Sequence, residues 1–176
     1  DWFEACMSGR IKAGETFLGD VGEDTLVAEI YKNRGVAMNF SAPIFDAAGR
    51  VERVWSNRAS VQRIVHQVSK EHLAAINPDG KLSLRLQIIA KNGVLVEDSD
   101  EAAILKTNLA QSGSAAVAAA MAGKDGVSEE VGSKGREELV AYFTEKGYGP
   151  YKGHGWAVLV RQDASEASQA ASQIGW

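Results

Sequence analysis

Apolar and polar positions along this chain follow two rhythms. The run Val36, Ala37, Met38, Asn39, Phe40, Ser41, Ala42, Pro43, Ile44, Phe45 reads as a strand. Asp46-Ala47-Ala48-Gly49 is a turn whose glycine suits a positive φ, and residues 50–60 return as a second strand. Together they make a long hairpin. Pro43 lacks a backbone donor, so it belongs at a strand edge or a bulge. Leu82, Leu84, Leu86 and Ile88 alternate as in a half-buried strand. Lys91-Asn92-Gly93 is a hairpin turn of the Asn-Gly type, and residues 94–96 return from it. The second rhythm has period 3.6. Val61, Ile64, Val65, Val68 and His72 predict a helix over 61–75, which Asn77-Pro78-Asp79-Gly80 stops.

The remaining stretches carry weaker patterns. Residues 2–9 read as the end of a helix closed by Gly9. Residues 10–34 are polar and glycine-spotted, an irregular connector with an apolar patch at Leu26-Val27-Ala28 and at most a short strand. Asp98-Ser99-Asp100-Glu101 reads as an acidic helix start followed by helix over 102–109, and 112–122 is a small-residue helix. Residues 123–135 read as a polar, glycine-rich loop and 138–143 as a strand. A glycine turn spans Gly147-Tyr148-Gly149-Pro150-Tyr151-Lys152-Gly153-His154-Gly155, and a strand begins at Trp156. From Asp163 a helix follows in which Ala164, Ala167, Ala170 and Ala171 stand out. Hairpins interleaved with helices predict an α+β domain, a PAS-like antiparallel sheet of five or six strands flanked by helices. No repeat and no linker divides the 176 residues, so a single domain over 1–176 is expected.

Composition narrows the function. A net charge of −4 with scattered basic residues argues against a nucleic-acid partner. No apolar run approaches the ~20 residues of a membrane span. The chain shows no secretory leader and no initiator Met, as expected of a processed or excised segment. Cys6 is the only cysteine, which excludes an intrachain disulfide and a cysteine metal site.

The residues of catalysis do not assemble into a known pattern, and no enzyme, metal or cofactor is expected. His66 and His72 are six apart and fall on different helix faces; His154 reads as a solvated turn residue. Gln111-Ser112-Gly113-Ser114 lacks the strand that a nucleophile elbow requires. Gly123-Lys124-Asp125-Gly126 lacks phosphate-loop spacing. Asp98 with Asp100 reads as helix-start charge, and Glu129 with Glu130 as a solvated loop. The 112–122 stretch could serve as a pocket lid, but close packing on a sheet is the simpler reading. Trp156 is read as a core plug.

Three stretches, in order along the chain, resemble the Cache family, the extracytoplasmic sensor domains of bacterial chemoreceptors and related signalling proteins. Asp1-Trp2-Phe3-Glu4-Ala5 with Ser8-Gly9 is similar to the end of that family's long first helix. Ser41-Ala42-Pro43-Ile44-Phe45-Asp46-Ala47-Ala48-Gly49 is similar to its Pro-containing hairpin. The third is the glycine turn with Gly155-Trp156, an apolar strand, Arg161-Gln162 and the helix after it. The resemblance implies a periplasmic sensor module of a membrane-spanning receptor, pairing as a homodimer through the first helix, with a small polar ligand. The chain departs from the family at Arg58, where amino-acid sensors place an Asp for the ligand ammonium.

Candidate ligand-binding residues follow from the hairpin and the helix end. Alternation puts Trp55, Asn57 and Ala59 on one strand face and Val54, Ser56 and Arg58 on the other; on the partner strand Met38, Phe40 and Ala42 alternate with Asn39 and Ser41. The candidate set is Trp2, Phe3, Met38, Phe40, Trp55, Asn57 and Arg58. Arg58 would offer a fork to a carboxylate with Trp55 or Trp2 as an aromatic wall; the competing reading is an exposed Arg58 or an internal ion pair. The alternative function is a cytosolic PAS- or GAF-like interaction module without a ligand.

Overall fold

The computed structural model describes residues 2–149 and 151–173, with side chains described as far as Gln169. Asp1, Pro150 and the side chains of Ala170 and Ala171 therefore lie outside the described residues. The chain divides into two compact units, residues 1–67 and 68–176.

In the first unit, helix α1 (Trp2–Met7) ends as expected, with Gly9 at φ 74°. Strand β3 (Val36–Phe45) pairs antiparallel with β4 (Val51–Ser60) along its whole length. On its other side β3 takes two short strands, β1 (Phe17–Leu18) and β2 (Gly22–Glu23). The connecting turn closes as the sequence implies: the Gly49 N–H donates to the Asp46 carbonyl at 3.0 Å, and Gly49 sits at φ 78°. Pro43 lies past the end of the β1 pairing and next to a register shift at Ile44/Phe45, so it interrupts no ladder on that side.

The expected connector over 10–34 contains a helix, α2 (Thr25–Tyr31). Asp24 caps it, its Oδ1 accepting from the Val27 N–H at 3.0 Å, and Lys32 ends it at φ 53°. Gly35 cannot be replaced here. It sits at φ 71°, and a Cβ would stand 2.2 Å from the Asp24 carbonyl oxygen. Helix α3 (Val61–Ile76) follows the predicted spacing, and the unit boundary falls within it, between Gln67 and Val68.

The second unit is a five-stranded antiparallel sheet. Its strands are β5 (Arg85–Ile89), β6 (Leu95–Glu97), β7 (Gly126–Val131), β8 (Glu137–Thr144) and β9 (Ala157–Asp163), in the order β6-β5-β9-β8-β7. The last strand in sequence is thus the middle strand in space. Helix α4 (Ala115–Met121) packs on the sheet, and its alanines permit the close approach read from the sequence. Ala116, Val117 and Ala120 bury against Val140, Ala157, Leu159, Ile89 and Leu95, which together form the core. Helix α5 (Ala164–Gln173) packs on β8 and β9. The α+β class and antiparallel pairing are as expected, with the strands shared between a four-stranded and a five-stranded sheet.

Two expectations fail in this unit for local reasons. Residues 102–106 form turns instead of a helix, Asn108 bridges to Val94, and only a 3-10 turn follows at Leu109–Gln111. The Leu95 N–H donates to the Thr107 carbonyl, and the Leu105 N–H to the Leu95 carbonyl at 2.8 Å. These bonds to β6 replace helical ones, and Leu105 pays with φ 62°. The expected loop 123–135 contains β7, which pairs residue for residue with β8. Its centre is Ser128-Glu129-Glu130, with one valine on either side, so the run looked polar throughout.

Candidate ligand sites

The second unit holds a cavity of about 600 Å³. One wall is a chain of charged side chains drawn from β5, β7, β8 and β9. Behind it, just past β6, lies Asp98, whose side chain is fully buried. Arg85 donates to both its oxygens, from Nε at 3.0 Å and Nη2 at 2.7 Å. Gln87 Nε2 donates to the same carboxylate at 2.6 Å, and the Asp100 N–H at 2.9 Å. Burial raises the Asp98 pKa, but the Arg85, Asp100 and Gln87 bonds outweigh it and hold the carboxyl below its ordinary range. The expected helix-start charge is therefore a buried ion-pair centre.

Gln87 passes the network on. Its Oε1 accepts from Arg161 Nε at 2.9 Å. Arg161 is 13% exposed, and its Nη1 serves two carboxylates, Glu130 at 2.9 Å and Glu138 at 3.1 Å. Glu130 also accepts from Ser114 Oγ at 2.6 Å and from the Ala116 N–H at 3.2 Å, which ties it to the start of α4. Burial pushes Glu130 up; Ser114, Ala116 and Arg161 more than reverse that, leaving it lowered. The solvated acidic loop expected at Glu129/Glu130 is thus half right: Glu129 is exposed and Glu130 is built into the wall. Every polar group in this wall is fixed by a neighbour, which makes it a pre-organised surface.

In the first unit the hairpin register places Asn39 opposite Arg58, Ser41 opposite Ser56, and Ala42 opposite Trp55. Arg58, Ser56, Asn39 and Ser41 share one face, and the Ser41 hydroxyl donates to Ser56 Oγ at 2.9 Å. Helix α1 packs on this hairpin with Ala5 and Cys6 buried, and burial raises the Cys6 thiol pKa. Trp2 stands 5.9 Å from the Arg58 guanidinium carbon, and Phe3 packs edge-on against Trp2 at 5.7 Å. Arg58 Nε donates to Asp24 at 2.6 Å. The competing reading of Arg58, an internal ion pair, thus describes its Nε.

The structure brings together Trp2, Phe3 and Arg58. It does not bring Trp55, Asn57, Met38 or Phe40 to them. Those four occupy the other hairpin face, where Trp55 is 62% exposed and Met38 is buried.

The terminal turn differs from its reading in one respect. Glu145 closes it, accepting from the His154 N–H at 2.7 Å. His154 is not a solvated residue. Its ring stacks on Trp156 at 6.1 Å, packs edge-on to Tyr151, and its Nε2 is buried without a partner among the described residues. Burial, with Glu145 beside it, pushes the Tyr151 hydroxyl up to about 12. Trp156 is half-buried at an apolar recess of about 470 Å³.

Sequence reasoning missed the wall of the second unit entirely. Its members lie up to 76 positions apart, from Arg85 to Arg161, and only the sheet order joins them. The one available signal was Arg161 within an otherwise apolar strand, Ala157-Val158-Leu159-Val160.

No family model and no curated protein matches the sequence. Solved structures match the fold. The chain superposes on the periplasmic sensory domain of the Campylobacter jejuni chemoreceptor Tlp1 with TM-score 0.68 and 20% identity, over 93% of this chain and 54% of that one. The ligand-binding domain of the Pseudomonas aeruginosa amino acid chemoreceptor PctC, solved with GABA, gives TM-score 0.60 and 17% identity over 92% of this chain and 60% of that one. The ligand-binding domain of the C. jejuni chemoreceptor Tlp3, solved with L-valine, gives 0.56 and 12% over 94% and 53%. The chain spans a little over half the length of these sensor domains, and its fold is the one they share, as the three motif resemblances imply.

Proposed function

We propose that this chain is a ligand-binding sensor module of a bacterial transmembrane receptor of the chemoreceptor type, facing the periplasm. The observation that carries the reading is the superposition of nearly the whole chain on periplasmic sensory domains. The cavity of the second unit, with its fixed polar wall, supplies a place for a small polar molecule. Binding, not turnover, is the activity: the ligand favours one arrangement of the module, and the receptor reads that shift in population. The parent protein spans the membrane and pairs as a homodimer.

A second location is favoured by one observation, the placement of Trp2 over Arg58. Here Asp24 orients the guanidinium through Nε, and a ligand carboxylate takes its outer edge. Trp2, Phe3 and Arg58 are the contact residues of this reading; Met38, Phe40, Trp55 and Asn57 lie on the opposite face of the hairpin and stand outside it.

Thermal unfolding against a panel of small carboxylates, amino acids, amines and purines tests the function. A ligand at a hundredfold its dissociation constant adds about 2.7 kcal/mol, a rise of several degrees for a chain of this size. A rise for one chemical class supports the sensor reading. A panel that moves nothing, from a chain that also binds a soluble cytosolic partner, supports the interaction-module alternative.

A further inference from the structure

We infer that two copies of this chain pair through the open edge of β4, antiparallel about a two-fold axis that passes between Trp55 of one copy and the partner's Trp55. The pairing goes beyond the sensor reading and needs no ligand. Its surface is distinct from the first helix that the family resemblance implies.

The sheet of the first unit is unfinished on one side. β3 pairs with β4 on one flank and with β1 and β2 on the other. β4 is a ten-residue strand paired on one flank only among the described residues. Exposed edges are commonly blunted by proline, lysine or a bulge. β4 contains neither proline nor lysine. The register shift at Ile44/Phe45 falls at its beginning, so Arg53 to Ser60 pair without interruption.

The far flank of β3 fixes which backbone groups this edge offers. The Asn39 carbonyl accepts from the Gly19 N–H at 2.8 Å, so Asn39 turns its backbone toward the β1 side. Asn39 and Arg58 are therefore a non-hydrogen-bonded pair of the β3–β4 ladder. Arg58, and with it Ser56 and Val54, turn N–H and C=O out to the open edge. Ser41 and Ser56 form another such pair, where side chains stand closest, and their hydroxyls meet at 2.9 Å. Trp55 and Asn57 bond inward to β3.

Antiparallel geometry then limits how two copies can meet. Opposite residues must both turn their backbone groups across or both away, so a two-fold axis passes between a residue and its own mate. Centred on Val54, the axis sets Arg50 against the partner's Arg58. Centred on Ser56, it sets Arg58 against the partner's Val54 and leaves Glu52 opposite the partner's Ser60. Centred on Trp55, it sets Glu52 against the partner's Arg58 and Arg58 against the partner's Glu52, while Val54 and Ser56 exchange backbone bonds with their opposites. Of the three, the last alone is complementary in charge. It also joins the Trp55 rings at a non-hydrogen-bonded pair, the closer kind, where aromatic pairs stabilise a sheet. Trp55 is 62% exposed in the single copy, and Ile44, 42% exposed, lies on the same face.

Sedimentation velocity of the whole chain over a hundredfold range of concentration tests the pairing, and a monomer–dimer equilibrium is expected. Glu52→Arg sets arginine against arginine twice and should raise the dissociation constant on the order of tenfold. Trp55→Ala should raise it severalfold. At dilution both variants should melt with the wild type, since both positions are exposed in the single copy. Oxidation of Trp55→Cys should give a covalent dimer; Asn57→Cys, which faces the partner's Arg53 and not its own mate, should not. Cys6 is buried and does not compete. A chain that stays monomeric at every concentration overturns the inference and leaves the edge to a strand of another protein. A dimer that Glu52→Arg and Trp55→Ala leave equally tight also overturns it, and meets on another surface such as the first helix. Cross-linking through Asn57→Cys and not through Trp55→Cys overturns the register.

Discussion

Arg58 and Arg161 are both strand arginines with carboxylate partners, and they sit in different settings. Arg58, in the first unit, is 27% exposed and gives one nitrogen to one acid, Asp24. Arg161, in the second, is 13% exposed and spreads three nitrogens over Gln87, Glu130, Glu138 and Ser114. The first is a pair at the edge of a hairpin that one short helix covers. The second is a node in a wall backed by a continuous apolar core. A guanidinium held on every side positions other groups; one held on a single side keeps donors for a newcomer. The two units therefore present a rigid polar surface and an adjustable one.

The contrast breaks most visibly at Arg161. Arg161→Met leaves Glu130 and Glu138 partly buried and unpaired, and should cost about 3–5 kcal/mol in denaturant unfolding. Adding Glu130→Gln and Glu138→Gln to that variant should recover a large part of the loss, because the cost lies in the stranded charges. A triple variant no more stable than Arg161→Met would mean that the arginine acts through packing.

Acid titration separates the units next. Asp98 and Glu130 in the second unit and Asp24 in the first all have lowered folded pKa values; burial opposes each shift, and hydrogen bonds and arginine outweigh it. A depressed carboxyl contributes stability above its unfolded value, about 4. That contribution disappears as pH falls through the lower folded value. Stability should thus fall as pH drops below about 4. Asp98→Asn should flatten this acid limb more than Asp24→Asn, since Asp98 is fully buried and accepts from Arg85, Gln87, the Ser99 hydroxyl and the Asp100 N–H. Urea midpoints from pH 2 to pH 7 measure it, and equal flattening would erase the distinction between the units. At the alkaline end the sign reverses. Tyr151 is raised from 10.0 to about 12, so its contribution is full below pH 10 and disappears as pH rises toward 12. Tyr151→Phe should remove that alkaline slope.

What the sequence disclosed divides along a related line. Both tight turns, at Asp46–Gly49 and Lys91–Gly93, and the period of α3 were legible because their causes lie within a few residues. The motif resemblances were legible for the same reason. The polar wall was not. Asp98 looked like a helix start because its partners, Arg85 and Gln87, arrive from another strand. Glu130 looked solvated because Arg161 reaches it from β9. Residues 102–109 had helical composition, but β6 captured their backbone bonds. In the first unit Arg58 was singled out by its strand position, while its partner Asp24 went unseen inside an unrecognised helix cap.

The smaller predictions sharpen the first unit's side of the comparison. Arg58→Ala removes a pair that is about three-quarters buried by its own exposure, and should cost about 1–2 kcal/mol, less than any variant of the Arg161 node. If the carboxylate reading of Arg58 holds, this variant also loses carboxylate binding, and Trp2→Ala weakens it.

Trp55 is the control. It is directly opposite Ala42 in the β3–β4 register, on the face away from Arg58, and is 62% exposed. An aromatic wall for an Arg58 ligand must share the arginine's face, because side chains of neighbouring strand positions point to opposite sides. Trp55→Ala should therefore leave carboxylate affinity unchanged and alter stability by at most about 0.5 kcal/mol, the size expected for a surface substitution. Trp2→Ala, made on the ring that does face Arg58, should do the opposite. A Trp55→Ala variant that lost ligand while Trp2→Ala kept it would place the first unit's site on the outer face of the hairpin, with Met38, Phe40 and Asn57, and would leave Arg58 as a purely structural pair.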